Sequence, residues 1–185
     1  MPKELLMPIS VSAECVRARW AYSELLSPSF GYFYRDVARL KGKAIQRVPF
    51  EELTAEDIAA LACRFDNVRG QYFNAYFVGV RQFELTRWSK DQLAAVYVIP
   101  YFTKESEFGI AMTFKQWTEA SPGRTLEMSD PRRELSNPVV FKQEHPITVG
   151  RDEAGKNFLL DGYHRACRFW GIPRTTRTLA AFVPS

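Results

Sequence analysis

Near the C-terminal end, Asp161, Gly162, Tyr163, His164 and Arg165 follow one another, and Arg168 stands three residues further on. These types and this spacing suit chemistry on an anion. Glycine lets the backbone turn left-handed and lets a ligand come close. If a helix starts at Tyr163, its first turn presents backbone N–H groups without intrahelical acceptors and the positive end of the helix dipole. His164 and Arg165 add polar or cationic groups to that turn, and Arg168 adds another one turn on. Together they form a donor set for a phosphate. Basic residues at a helix N-terminus oppose the dipole by about 0.3–1 kcal/mol each. The arrangement therefore serves a bound anion, or a neighbouring carboxylate compensates it. The plainer alternative is a simple turn with solvated His164 and Arg165.

The elements around this turn are legible. Pro146–Val149 reads as a strand, 152–156 as a turn, Phe158–Leu160 as a second strand and Thr178–Val183 as a last one. Between them, Tyr163, Ala166, Cys167 and Trp170 fall at i, i+3, i+4 and i+7, an apolar helical stripe stopped by Gly171 and Pro173. His164, Arg165 and Arg168 lie off that stripe. Upstream, a helix is predicted over 12–26 with Ser12 as its cap, a second over 29–41, and a short strand over 44–49. The clearest helix covers 54–65, where Thr54 precedes Asp57 by three and Ile58, Leu61, Ala62 and Phe65 share a face. Residues 71–87 fit either a helix or a strand. A short helix starts at Ser89, a strand follows over 94–99 with a partner over 108–113, and another short helix spans 113–120. Residues 121–138, with Pro122, Pro131 and Pro138, read as a long surface loop.

Composition removes several classes. The chain has 185 residues, 46% hydrophobic and 14% aromatic, which argues against disorder. Its formal net charge of +4 permits a phosphate-bearing partner without demanding one. No apolar run reaches the ~18 residues of a membrane helix, and the first residues lack a secretory h-region. The three cysteines, Cys15, Cys63 and Cys167, are far apart, and His145 and His164 are the only histidines. A zinc cage or disulfide framework is not expected, and a reducing cytoplasm is the simplest compartment. Arg132 and Arg133 in the charged run 130–134, with Arg174 and Arg177, are weaker candidates for DNA phosphates. For each of these a solvated surface is the alternative.

The segment from His145 to Val183 resembles the core of the ParB/sulfiredoxin superfamily: a PI-x-V strand, a hairpin, a strand ending in Gly-x-His-Arg, a helix and a closing strand. The resemblance implies that the turn Gly162, Tyr163, His164, Arg165 binds nucleotide phosphates, with Arg168 adding to it. Tyr163 occupies the place of the sulfiredoxin cysteine, so sulfinic-acid reduction is not expected. The Glu-Arg-Arg of partition proteins and a following helix-turn-helix are absent, so centromere binding is not expected either. Free-serine kinases of the superfamily share the Asp-Gly-x-His-Arg turn, which keeps phosphotransfer open.

Over its whole length the chain resembles plasmid fertility inhibition proteins. That implies an ATPase and metal-dependent DNase acting against DNA transferred by a competing conjugative or type IV secretion system. ATP and Mg²⁺ are then the expected cofactors, with His164, Arg165 and Asp161 as catalytic candidates. The metal ligands stay open: Asp161 is nearest in sequence, and Glu51, Glu52, Asp57 or Glu84 are further options. Expected partners are DNA and a secretion coupling protein, the latter placing the chain at the inner membrane. The alternatives are a small-metabolite phosphotransferase and a non-catalytic inhibitor of the coupling machinery. The expected fold is α/β (α+β), a single domain over 1–185 with a small mixed sheet. Residues 139–185 form the phosphate-binding core and 1–138 a mainly helical elaboration, of which 44–65 joins the core through the strand at 44–49.

Overall fold

Alternating strand and turn signals over 146–183 dictate a hairpin, a helix and a return strand. That order is present in the computed structural model, which describes residues 9–25, 31–37, 44–100, 111–120, 130–136, 145–173 and 177–185. The strands are β1 (Ile9–Ser12), β2 (Gln82–Trp88), β3 (Tyr97–Val98), β4 (Ile147–Arg151), β5 (Asn157–Asp161) and β6 (Leu179–Pro184). The helices are α1 (Ala13–Leu25), α2 (Ala55–Phe73), α3 (Lys90–Ala95), α4 (Phe114–Glu119) and α5 (Tyr163–Gly171), with short 3-10 segments between them. The protein is thus mixed α and β, with a six-stranded sheet in the order β1-β2-β6-β4-β5-β3. β4 runs antiparallel to β5 and parallel to β6, and β3 runs parallel to β5.

The chain divides into two compact units. One holds Val11–Phe83; the other holds the chain up to Ser10 and from Glu84 to Ser185, so the boundary falls inside β1 and β2. In the first unit, Ser12 Oγ accepts the backbone N–H of Cys15 at 3.1 Å and starts α1 as expected. Thr54 and Asp57 close a reciprocal capping box on α2, which runs past the expected 65 to Phe73. Trp20 on α1 meets Phe65 and Phe73 of α2, each at 4.8 Å between ring centroids. A buried Glu24 accepts from Tyr34 at 2.5 Å and from Arg69 at 2.8 Å, so its charge is both paired and hydrogen-bonded.

Several expectations are corrected or resolved. The segment 44–49 is not a strand: Ile45–Arg47 forms a 3-10 turn, and Phe50–Glu52 forms another. Gln46 and Arg47 are adjacent, which breaks the two-residue alternation, and Pro49 has no N–H for a ladder. Ile45 and Phe50 bury as anchors. The sheet instead recruits β1, β2 and β3. The ambiguous 71–87 stretch resolves as the end of α2, a 3-10 turn at Asn74–Tyr76 and then β2. Within the expected 121–138 loop, Pro131–Ser136 is a 3-10 helix, while 121–129 and 137–138 lie outside the described residues.

The strand expected over 94–99 shrinks to β3, because Ser89 and Gln92 make a capping box that draws Ala94 and Ala95 into α3. Its expected partner survives at Thr113, which bridges Tyr97, while 108–110 lie outside the described residues. Of the helix expected over 29–41, residues 31–37 are described, a 3-10 turn at Gly31–Tyr34 followed by a plain turn.

In the second unit the central strands carry consecutive buried residues rather than an alternation: Ile147, Thr148 and Val149 on β4, Phe158, Leu159 and Leu160 on β5, and Leu179 to Phe182 on β6. Such runs mark strands covered on both faces. α4 packs on α5 through Trp117 against Tyr163 at 5.6 Å and Phe114 against Trp170 at 5.8 Å. Lys90 closes the far end of α5 by donating Nζ–H bonds to the carbonyls of Trp170, at 2.6 Å, and Ile172. A cation is favourable at that negative end of the dipole.

Candidate functional site

β5 ends at Asp161, and α5 starts two residues later. The connection is Gly162 alone, at φ 92° and ψ 24°, a left-handed conformation that disfavours any residue with a Cβ. Space enforces the choice as well. A Cβ there would stand 2.7 Å from Ile147 Cγ2 and 2.9 Å from an Arg165 guanidinium nitrogen. No side chain caps the helix; the Gly162 carbonyl takes the Ala166 N–H at 2.8 Å.

Arg165 folds back under this turn. One Nη donates to Asp161 Oδ2 at 3.0 Å and to the Pro146 carbonyl at 3.3 Å. Its Nε is buried with no hydrogen-bond partner. The strand end, the glycine and the first helical turn are therefore joined by one guanidinium. His164 points outward, its side chain 54% exposed, with Nδ1 3.5 Å from Glu134 Oε1. Arg168 grips the same carboxylate through two bonds, Nε to Oε2 at 2.6 Å and Nη2 to Oε1 at 2.9 Å. These bonds hold the Glu134 carboxyl below its ordinary range, against a smaller opposing push from burial.

Tyr163 belongs to the core. It is buried, its hydroxyl donates to the Leu159 carbonyl at 2.5 Å, and it accepts the Ile99 N–H at 3.0 Å. Its side chain ties Leu159 of β5 to Ile99, just after β3, from beneath the turn. The apolar stripe is broader than its spacing predicts: Phe169 is buried beside Tyr163, Ala166 and Cys167, while Trp170 is half-buried. The 3-10 helix Pro131–Ser136 covers another face of α5, the one that carries His164, Arg168 and Gly171. A Cβ on Gly171 would stand 2.3 Å from the Leu135 carbonyl oxygen, so the two backbones touch at this glycine.

Sequence reasoning overlooked the acidic half of the charged run 130–134. Asp130 forms a tight local turn, accepting the Arg132 N–H at 2.9 Å and its guanidinium at 2.7 and 3.1 Å. Burial raises the Asp130 carboxyl, but the Arg132 bonds and charge outweigh it and hold the group below its ordinary value. Arg132 is thereby engaged: its side chain is only 12% exposed, and its guanidinium lies 5.2 Å from the Trp117 ring centre. Arg133 and Arg177 are exposed, and Arg174 lies outside the described residues. The signal that marks Glu134 was present in the sequence. A basic helical turn needs an anion, and this run supplies a carboxylate.

Asp161 is the carboxylate nearest the turn, and one of its oxygens serves Arg165. Among the described residues no group of three or more His, Cys, Asp or Glu side chains gathers to hold a metal. A magnesium ion carried by a nucleotide needs only one or two carboxylates, with phosphates and water completing its shell. Asp161 fits that mode. Of the further options, Asp57 caps α2, Glu51 pairs with Arg19 at 2.5 Å, and Glu52 and Glu84 are exposed.

With His164 neutral, Arg165 and Arg168 balance Asp161 and Glu134. The site is self-compensated, not an open pool of positive charge. No protein-family model matches the chain, and no curated protein or solved structure is significantly similar to it. Among the described residues no helix is long and apolar enough to cross a membrane.

Proposed function

We propose that the Gly162 turn is a phosphate-binding site on a ParB/sulfiredoxin-like core, and that the chain is an ATP-hydrolysing, DNA-cleaving fertility inhibition factor. On this reading it is similar in kind to the oncogenic suppressive activity protein and acts on DNA moving through a competing secretion system. DNA and a secretion coupling protein are the proposed partners. One observation carries the phosphate assignment: a left-handed glycine at an uncapped helix N-terminus, with an exposed histidine and two arginines within its first two turns. The uncapped first turn offers its N–H groups to a phosphate, Arg165 and Arg168 offset its charge, and His164 hydrogen-bonds to its oxygens. Asp161 would hold magnesium, which when bound neutralises phosphate charge and orients the transferred group.

A second reading has its own support. Glu134 Oε1 lies 3.5 Å from His164 Nδ1, so a carboxylate faces the turn, as a phosphotransferase requires for taking a proton from an acceptor hydroxyl.

The test compares wild type, His164→Ala and Arg165→Ala with ATP, magnesium and plasmid DNA. His164 is exposed, so its variant keeps the fold; circular dichroism checks Arg165→Ala, which loses an ion pair. The expected outcome is wild-type ATP hydrolysis and DNA cleavage, reduced at least about a hundredfold in both folded variants. Hydrolysis that appears only with an added hydroxyl acceptor would favour the phosphotransferase. Wild type that does none of these would overturn the enzyme reading.

A further inference from the structure

Glu134 already occupies outward cations of the α5 turn. Its carboxylate takes both guanidinium bonds of Arg168 and faces His164 Nδ1. It is held there by backbone, because the 3-10 helix carrying it lies directly against Gly171. A phosphate approaching the first turn meets a fixed negative charge on the residues that would receive it. Like charges within a few ångströms repel strongly in a partly desolvated site. A phosphate that takes both guanidinium bonds of Arg168 must displace Glu134 from them.

We propose that Glu134 is a built-in pseudo-substrate, a latch that a phosphate-bearing ligand must displace from Arg168 and His164 in order to bind. The proposal rests on the phosphate reading of the Gly162 turn and adds its regulation. In the latched state the 131–136 helix is tied to α5 and the cations are neutralised internally. In the bound state the ligand takes over Arg168 and His164, and the 131–136 helix loses its ionic tether. The site then selects multiply charged phosphates, because a singly charged anion repeats only what Glu134 already offers.

Isothermal titration of the full chain with a non-hydrolysable ATP analogue, and separately with inorganic phosphate, tests the latch. Glu134→Gln keeps the side-chain shape and removes the charge. Glu153→Gln, at the exposed tip of the β4–β5 hairpin, makes the same change in net charge away from the site. The expected result is ATP-analogue binding about tenfold tighter in Glu134→Gln than in wild type, with Glu153→Gln within about twofold of wild type. Equal or weaker binding by folded Glu134→Gln would overturn the latch alone, and loss of turnover without tighter binding would make Glu134 a base instead. Absence of binding by every protein would overturn the phosphate reading and the latch with it.

A measurement on wild type covers the case in which Glu134→Gln does not fold. Saturating ATP analogue is expected to speed amide hydrogen exchange over 133–136, because displacement frees that helix. Unchanged or slower exchange there, with binding shown by titration, would overturn the latch.

Discussion

Arg165 and Glu134 show how a residue's type fixes what it needs without fixing who supplies it. A guanidinium at the start of a helix must find acceptors. Arg165 finds Asp161, four residues before it, and the Pro146 carbonyl across the hairpin. Arg168 finds Glu134, which lies 34 residues away in sequence. These carboxylates leave a signature in acid. Glu134 is held below its ordinary value of 4.5, first by the Arg168 bonds. Asp130 ends below its ordinary 3.8 because Arg132 outweighs the upward push of burial. A depressed carboxyl contributes stability that is complete above its unfolded pKa and lost as pH falls through its folded one. The melting temperature of wild type is therefore expected to fall from about pH 5 downward more steeply than that of Glu134→Gln. Parallel melting curves over that range would show that the Arg168 pair adds no net stability.

Elements here begin where short-range chemistry says they should. Thr54, Ser89 and Thr113 each close a capping box with the residue three further on, and the helices start there. Strand lengths were less legible, since a cap upstream of β3 pulls two of its expected residues into a helix. The 131–136 helix was not legible at all. Three prolines and a charge run describe a loop, whereas the Asp130 turn starts a helix there and its seat on α5 holds it. Gly171 tests that seat. Gly171→Ala places a methyl where the Leu135 carbonyl stands, 2.3 Å from the new carbon. The substitution is expected to separate the 131–136 helix from α5 and to destabilise the protein by about 1–3 kcal/mol, read as a lower midpoint in urea. An unchanged midpoint would mean that this helix contributes little to the folded state.

At the scale of the whole molecule, two units each carry their own core and their own thiols. All three cysteines are unpaired as disulfides. Cys63 on α2 is exposed and Cys15 on α1 half-covered, both in the first unit; Cys167 in the second is buried, and burial pushes its thiol well up. Thiolate is the reactive form, so a raised, buried thiol is inert. A thiol reagent added to native protein is expected to modify Cys63 first and to reach Cys167 only in denaturant, as read by peptide mass. Labelling of Cys167 as fast as Cys63 would contradict the packing of α5 on the sheet. Because the thiols lie in different units, the same titration in urea reports whether the units unfold at one midpoint or two.

Local chemistry by itself determined the turn at Gly162, the helix after it, the hairpin before it and the caps of α2, α3 and α4, because each depends on residues within one or two turns of chain. Conformational freedom at one glycine and a hydroxyl three residues ahead of a donor need no distant partner. Tertiary structure alone decided which strands complete the sheet, that the Tyr163 side chain packs in the core, and that the cations of the turn are already answered by Asp161 and Glu134. Those outcomes rest on which surfaces meet. A charged side chain accepts any partner of opposite sign, so its sequence states a requirement that only the fold can fill.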